Sequence, residues 1–223
     1  MPLNRVRRVS LAHSVGAQLC RAIVSGDIPA GTQLSEPALA ARLGVSRAPV
    51  REALIELELR GLVEFDPQGR TRVPTLAPAD LEEIHAVRLA LEPLACGLAA
   101  QRAAPEAVAA LEETIAATRK AKTLAEVSRH DLEFHDRIVQ AAQNRRLLLC
   151  WNGIRDQVEL WLVQMHPRHQ AATKRTREQT VESHRRLLDA IRRRDERRAT
   201  DLARAHLAGW TDLMPPAAAA DDD

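Results

Sequence analysis

Apolar residues at Leu11, Val15, Leu19, Ala22 and Ile23 recur at intervals of three and four, the repeat of one helical stripe. The pattern predicts an amphipathic helix from Leu11 to Ser25, closed by Gly26 and Pro29. Ser35-Glu36-Pro37 then supplies a cap, an acidic residue and a proline for the first turn of a second, short helix with Leu39, Ala40 and Leu43 on its apolar face. Gly44 ends it. A third helix is expected from a cap at Ser46 through Arg60, with Val50, Leu54 and Leu57 inward and Ala53 on the flank, and Gly61 stops it. The stretches 62–65 and 70–73 are short and β-prone, and Pro67-Gln68-Gly69 between them has turn chemistry, so a two-stranded wing is expected. Beyond Pro74 the period is helical throughout, with segments near 78–103, 105–122, 125–142, 144–166, 173–193 and 195–214, punctuated by Pro105, Asn144, Pro167 and Asp195.

This pattern reads as a mainly α chain of two domains, 1–76 and 77–214, followed by a low-complexity, disordered tail at 215–223. Composition agrees: 223 residues with 45% hydrophobic content can fill two cores, and with only five Phe or Trp and no Tyr those cores rest on Leu, Val, Ala and Ile. Cys20, Cys96 and Cys150 are odd in number and unpaired in spacing, which argues against a disulfide framework. With no apolar run of membrane-spanning length and no leader pattern, the sequence reads as cytoplasmic, with no membrane partner. The net charge is +2, too small to indicate nucleic acid by itself; residues 1–75, however, hold ten Arg against seven Asp or Glu. That excess permits DNA binding at the N-terminal end. Arg5, Arg7 and Arg8 form either a DNA-touching arm or a disordered basic tail.

A short helix, a tight turn at Gly44-Val45-Ser46 and a second helix opening with Arg47 have the lengths of a helix-turn-helix. Arg47 and Arg51, four apart, share one face near the start of the second helix, where guanidinium groups can pair with guanine or with phosphate. That spacing alone is shared by ordinary surface helices with solvated arginines. The run GVSRAPVREALIELELRGLVE at 44–64, extended upstream by GDIPAGTQLSEPALAARL at 26–43, closely resembles the DNA-binding signature of the GntR family of bacterial regulators. The resemblance implies a winged helix-turn-helix that places Ser46, Arg47, Pro49 and Arg51 at double-stranded operator DNA and sends the wing-tip Gly69 into the minor groove. One departure is Pro37, where some members carry a basic residue.

Asp131 and His135 are four apart in the helical run DLEFHDRIVQAAQN, so a carboxylate and an imidazole project from one face. Such a pair suits a first-row metal, and His184 and His206 could complete a set of three nitrogens and one oxygen; in a chain with eight histidines the spacing also arises by chance. Six helices after a GntR-type head resemble the FCD ligand-binding domain of the FadR subfamily, in the VanR-like branch. DLEFH, ESHRRLLDAI and LARAHL match its local patterns at Asp131 with His135, at His184 and at His206. The resemblance implies an antiparallel six-helix bundle around a cavity, a divalent metal ion on these four residues (zinc first, with nickel, manganese or iron as others), and a small carboxylate effector paired with Arg88. Arg88 could instead serve only as a bridge to Glu92, four residues on. His13, His85, His130, His166 and His169 are expected at the surface or at helix ends, and Trp151 and Trp161 in packing roles.

Together these readings predict a homodimeric, metabolite-responsive transcription regulator that is not an enzyme, a repressor released by a small organic acid at the metal site. Two rival readings are a metalloenzyme acting on small organic acids and a DNA-binding protein whose metal is purely structural.

Overall fold

The computed structural model describes residues 11–214. The expectations for the basic arm at Arg5, Arg7 and Arg8 and for the tail at 215–223 lie outside the described residues. The chain divides into two compact units between Thr75 and Leu76.

In the first unit, α1 (Leu11–Val24) turns Ala12, Val15, Leu19 and Ile23 inward onto α3 (Arg47–Leu59), which answers with Val50, Ala53, Leu54 and Leu57. The last four are fully buried. Helix α2 (Glu36–Leu43) takes proline in its first turn, as the sequence indicates, and Gly44 ends it with φ +67°, the left-handed geometry that glycine adopts without a Cβ penalty. Ser46 is extended, so only two residues separate the α2 cap glycine from Arg47. The wing is β2 (Glu64–Phe65) and β3 (Thr71–Arg72), antiparallel, with Asp66 accepting backbone bonds from Gln68 and Arg70 across the turn. A third strand, β1 (Gln33–Leu34), pairs with the other edge of β3 to give the order β1-β3-β2. Two residues are too few to show alternation, and β1 is held in place by its partner rather than by its own sequence pattern.

The second unit comprises α4 (Pro78–Arg102), α5 (Pro105–Lys120), α6 (Leu124–Ala141), α7 (Arg145–Thr173), α8 (Thr176–Arg192) and α9 (Glu196–Ala208), then a 3-10 turn at Thr211–Leu213. Short connections reverse the chain between neighbours, the condition for an antiparallel bundle. Local caps set the reversals: Thr123 and Glu126 form a reciprocal capping box, Asn144 accepts from the amides of Arg146 and Leu147, and Asp195 accepts from that of Arg198. The long α4 runs beside α9 and also meets α6, α7 and α8. The core contains Leu81, Leu111, Leu132, Phe134, Ile138, Trp151, Trp161 and Leu162.

Pro167 does not end a helix, as its place in the sequence suggests; α7 continues through it to Thr173. The carbonyl that proline leaves without a donor belongs to Val163, and both residues lie on the exposed side of the helix, where water can replace the missing bond.

The approach of α4 to α9 depends on Gly97. A Cβ at that position would stand 2.7 Å from Thr200 Oγ1 on α9. Gly97→Ala should therefore lower stability by about 1–2 kcal/mol, the overpacking cost exceeding the gain in helix propensity. In a Thr200→Ala background the same change should become neutral or stabilising. Chemical denaturation of the four proteins of this cycle checks the reversal of sign.

Candidate metal centre and nucleic-acid interface

Helix α6 presents Asp131 and His135 from successive turns of one face; α8 adds His184 and α9 adds His206. One donor atom from each of the four residues lies within 4.8 Å of the other three. Asp131, His135 and His184 are buried, and His206 is half-buried. Asp131 Oδ1 lies 3.2 Å from His135 Nε2 and 3.1 Å from His184 Nε2. None of these atoms has a hydrogen-bond partner of acceptable geometry, nor does His206 Nε2. The lone-pair atoms thus converge on a shared region rather than on one another. Ligands of a single divalent ion bound at about 2.1 Å stand roughly 3–4 Å apart, so the donor set fits such an ion.

Neighbouring side chains fix how these donors point. His135 Nδ1 lies 2.7 Å from Glu92 Oε2, leaving Nε2 to face the cluster. His166, on α7, lies 2.9 Å from Asp131 Oδ2 through Nε2, and its Nδ1 is 2.7 Å from Ser128 Oγ. With Nε2–H donating to the carboxylate, Nδ1 accepts from the serine hydroxyl; one oxygen of Asp131 is thereby engaged and Oδ1 is left for the cluster. The order Ser128, His166, Asp131 is that of a hydrolytic triad, but all three side chains are buried and the carboxylate belongs to the cluster. Its physical role here is to hold Asp131.

Electrostatics follow from burial and from these contacts. Burial opposes ionisation of Asp131, but His135, His166 and His184 outweigh it and hold its carboxyl well below the usual range. Burial likewise opposes ionisation of Glu92, and Arg88 followed by His135 reverses that. His135 is lifted to about 9, burial being outweighed by Glu92 and Asp131, so a proton and a cation compete for it. Burial keeps His184 neutral despite Asp131. Burial, with His184 and His135 nearby, lowers His206 to about 3. Neutral imidazoles carry the lone pairs that a metal requires.

Arg88 is fully buried on α4. Its Nε donates to Glu92 Oε1 at 2.6 Å, which is the bridge, while Nη1 and Nη2 have no partner. The guanidinium lies 4.6 Å from the centre of the Trp161 ring. Two histidines expected at the surface or at helix ends are instead buried: His166, as described, and His85, stacked on Trp161 at 5.8 Å. The Asp131–His166 pair spans 35 residues, so no local spacing announces it.

In the first unit, Ser46, Arg47 and Arg51 are exposed and Pro49 is half-buried near the start of α3. The Arg47 and Arg51 side chains are 69% and 72% accessible, enough to reach a groove. Both approach Glu36 at the start of α2, at 3.4 and 4.0 Å. Gly69 is at the exposed tip of the wing with φ +75° and open space where a Cβ would be. Arg70 and Arg72 are tied to Asp66 and Glu64 in the wing itself. Among the described residues no helix is long and apolar enough to cross a membrane.

Residues 11–73 match the family model described as bacterial regulatory proteins, gntR family, and residues 83–209 match that of the FCD domain. A Paenarthrobacter nicotinovorans protein named "Probable D-xylose utilization operon transcriptional repressor" is 32% identical over 213 residues, covering 93% of this chain and 90% of its own length. The gluconate operon transcriptional repressor of Bacillus licheniformis is 32% identical over 165 residues, 73% of this chain and 68% of its own. Among solved structures, E. coli McbR/YncC shares the fold with a TM-score of 0.69 at 23% identity, covering 93% of this chain and all of that one. The first two relatives are named as transcriptional repressors, not as enzymes. With a winged helix-turn-helix matched in one unit and an FCD domain in the other, the chain belongs to the GntR family of transcription regulators, in the group that carries an FCD domain.

Proposed function

We propose that the protein is a homodimeric repressor whose hold on its operator is set by a small carboxylate bound at a divalent metal centre. The observation that carries the sensing half is the set of buried, unpartnered donor atoms on Asp131, His135, His184 and His206. These four residues would hold the ion, with zinc the first expectation and nickel, manganese or iron the others. When bound, the ion supplies a Lewis-acidic position for an anionic oxygen. Arg88, with two free guanidinium nitrogens, is placed to take further oxygen atoms of the same ligand. The names of the relatives, which concern gluconate and xylose operons, fit an effector derived from sugar metabolism.

On the DNA side, Ser46, Arg47, Pro49 and Arg51 would meet the major groove and Gly69 the minor groove, Gly69 because nothing projects from the wing there. A second copy of the chain is the natural cover for the outer face of α4. Val87 and Leu94 are exposed there, and Leu91 and Leu98 are half-buried; the spacing puts all four on one stripe. A dimer presents two recognition helices to a two-fold operator. The effector regulates only if it binds the DNA-competent and DNA-incompetent states with different affinity.

Elemental analysis of protein purified without chelator or nickel affinity should find about one divalent ion per chain. His135→Ala and His206→Ala should lose it while the protein still binds DNA; Glu92→Gln should weaken metal affinity about 10–100-fold by releasing His135. Wild-type protein without metal would remove the site. A metal whose removal leaves operator affinity unchanged with every carboxylate tested would make it structural. Arg47→Ala should reduce affinity for an operator recovered by in vitro selection by about 1–3 kcal/mol and affinity for random duplex far less. Equal losses would reduce Arg47 to a phosphate contact. Leu94→Lys should shift the chain from dimer to monomer in sedimentation equilibrium, because it places a charge in the apolar stripe.

A further inference from the structure

Helices α5 and α8 lie side by side in opposite directions and are tied at two places by arginines of α8. Arg192 pairs with Glu112 at 2.6 Å, and Arg177 donates to the Ala121 carbonyl, just past the end of α5, at 3.2 Å. Between these ties a cavity of about 880 Å³ opens over Ile115, Ala116 and Leu188, and a second of about 590 Å³ continues it over Val181 toward Arg177. Ile115, Val181 and Leu188 belong to the core, so the floor is aliphatic. Each of the five carboxylates along the two cavities has a cation: Glu112 has Arg192, Glu113 has Arg137, Asp189 has Arg193, Glu178 has Arg177 and Glu182 has Arg186. Arg119, Lys120 and Arg185 line the groove too, and among the described residues none of the three has a carboxylate partner. Arg119 and Lys120 stand in the last turn of α5, where a helix end favours cations. Arg185 is in the middle of α8 and has no such reason. With Arg119 it borders both cavities, and like charges around one space repel unless an anion lies among them.

From this arrangement we infer a binding site for a mononucleotide in the groove between α5 and α8, with the phosphate held by Arg119, Lys120 and Arg185 and the base laid on the aliphatic floor. Charge and geometry select the phosphate. A phosphate monoester carries about two negative charges near neutral pH and three terminal oxygens, which two guanidinium forks and an ammonium group can share. A carboxylate, with one charge and two oxygens, would leave the groove cationic. The floor selects the rest of the ligand. Inorganic phosphate makes no use of Ile115 and Leu188, and a polyhydroxylated body would set hydroxyl groups against aliphatic carbon, whereas a base has an apolar face for the floor and a polar edge for the rim. Length excludes a nucleic-acid strand. Glu112 and Ala121 are nine residues apart, so the ties close the groove within about 14 Å, and a polymer backbone would have to continue through them. Cavities of this volume are usual for ligands of nucleotide size. The groove is separate from the metal centre: Arg185 is exposed on the outer side of α8, and His184 is buried on the inner side.

The test is calorimetric titration of the full chain, before and after treatment with a chelator, with AMP, GMP, CMP and UMP, the four parent nucleosides and inorganic phosphate. At least one nucleotide should bind with one site per chain, about tenfold or more tighter than its nucleoside and than inorganic phosphate. Chelation should leave that affinity unchanged, which separates the groove from phosphate held on a metal and from any failure of the metal centre. Arg119→Ala and Arg185→Ala should each weaken binding about tenfold or more, and Arg185→Lys, which keeps the charge but not the fork, should fall between. Ala116→Glu sets a carboxylate on the floor and should abolish binding. All three positions are exposed, so the variants should keep the wild-type fold, checked by circular dichroism. Four results overturn the site: no nucleotide binds, binding is lost on chelation, binding is indifferent to Arg119 and Arg185, or no nucleotide exceeds inorganic phosphate. A loss of affinity for random duplex DNA in the arginine variants, without nucleotide binding by the wild type, overturns it too and makes the groove a contact for the DNA backbone.

Discussion

Glu92 is within hydrogen-bonding distance of Arg88 Nε through one carboxylate oxygen and of His135 Nδ1 through the other, at 2.6 and 2.7 Å, in a part of the bundle closed to water. Either contact alone would leave a buried charge incompletely matched. Together they let one carboxylate balance the guanidinium and set the orientation of the imidazole. Without Glu92, Arg88 would be an unpaired cation in the core, an arrangement that typically costs about 3–5 kcal/mol, and His135 would lose the contact that turns its Nε2 toward Asp131. The fold supports this contact from α4, which lies against α9 closely enough that Gly97 has no room for a side chain. Thus the packing that excludes water from Glu92 also brings His206 to the cluster.

How much of this is legible in the sequence depends on the distance over which each constraint acts. Turn glycines, proline-led helix starts and the i,i+4 pair of Asp131 and His135 are local, and the elements they mark are where the patterns place them. His184 and His206 come together with that pair only through the packing of α8 and α9 on α6 and α4. Their place in the set was readable from the family's local patterns, not from spacing. His166 has no such pattern. It lies on α7 beyond the residue at which proline suggests a stop, and its importance comes from a contact with Asp131, 35 residues earlier. His85 shows the opposite failure: its position on the buried face of α4 is helical arithmetic, but a histidine is not ordinarily counted among core residues. Strand β1 escapes because two residues hold no periodicity.

The two units use arginine in opposed environments. Arg47 and Arg51 lie in water beside Glu36, where ion pairs are weak and salt-screened, so exchanging that carboxylate for phosphate or a base edge has a small cost. Arg88 is fully desolvated, and its orientation is set before any ligand arrives. Exposed arginines can search a duplex and trade partners, whereas a buried one can discriminate, since an ill-matched ligand leaves its N–H groups unsatisfied. This division suits the function proposed above, in which the exposed pair meets DNA and the buried arginine meets a small ligand.

Helix α4 is where the proposed sensing and assembly functions meet. One face carries His85, Arg88 and Glu92 inward, while Val87 and Leu94 stand on the other, separated from them by less than a helical turn of sequence. An α-helix is stiff across its own diameter, so a ligand that pulls on the fixed Arg88 side chain cannot displace the inner face alone; the apolar stripe must shift or rotate with it. Coupling of about 1–3 kcal/mol, the usual scale of allosteric control, therefore needs no long chain of intermediaries. It needs only that two copies pack through α4 in arrangements that differ in how well they accept that displacement.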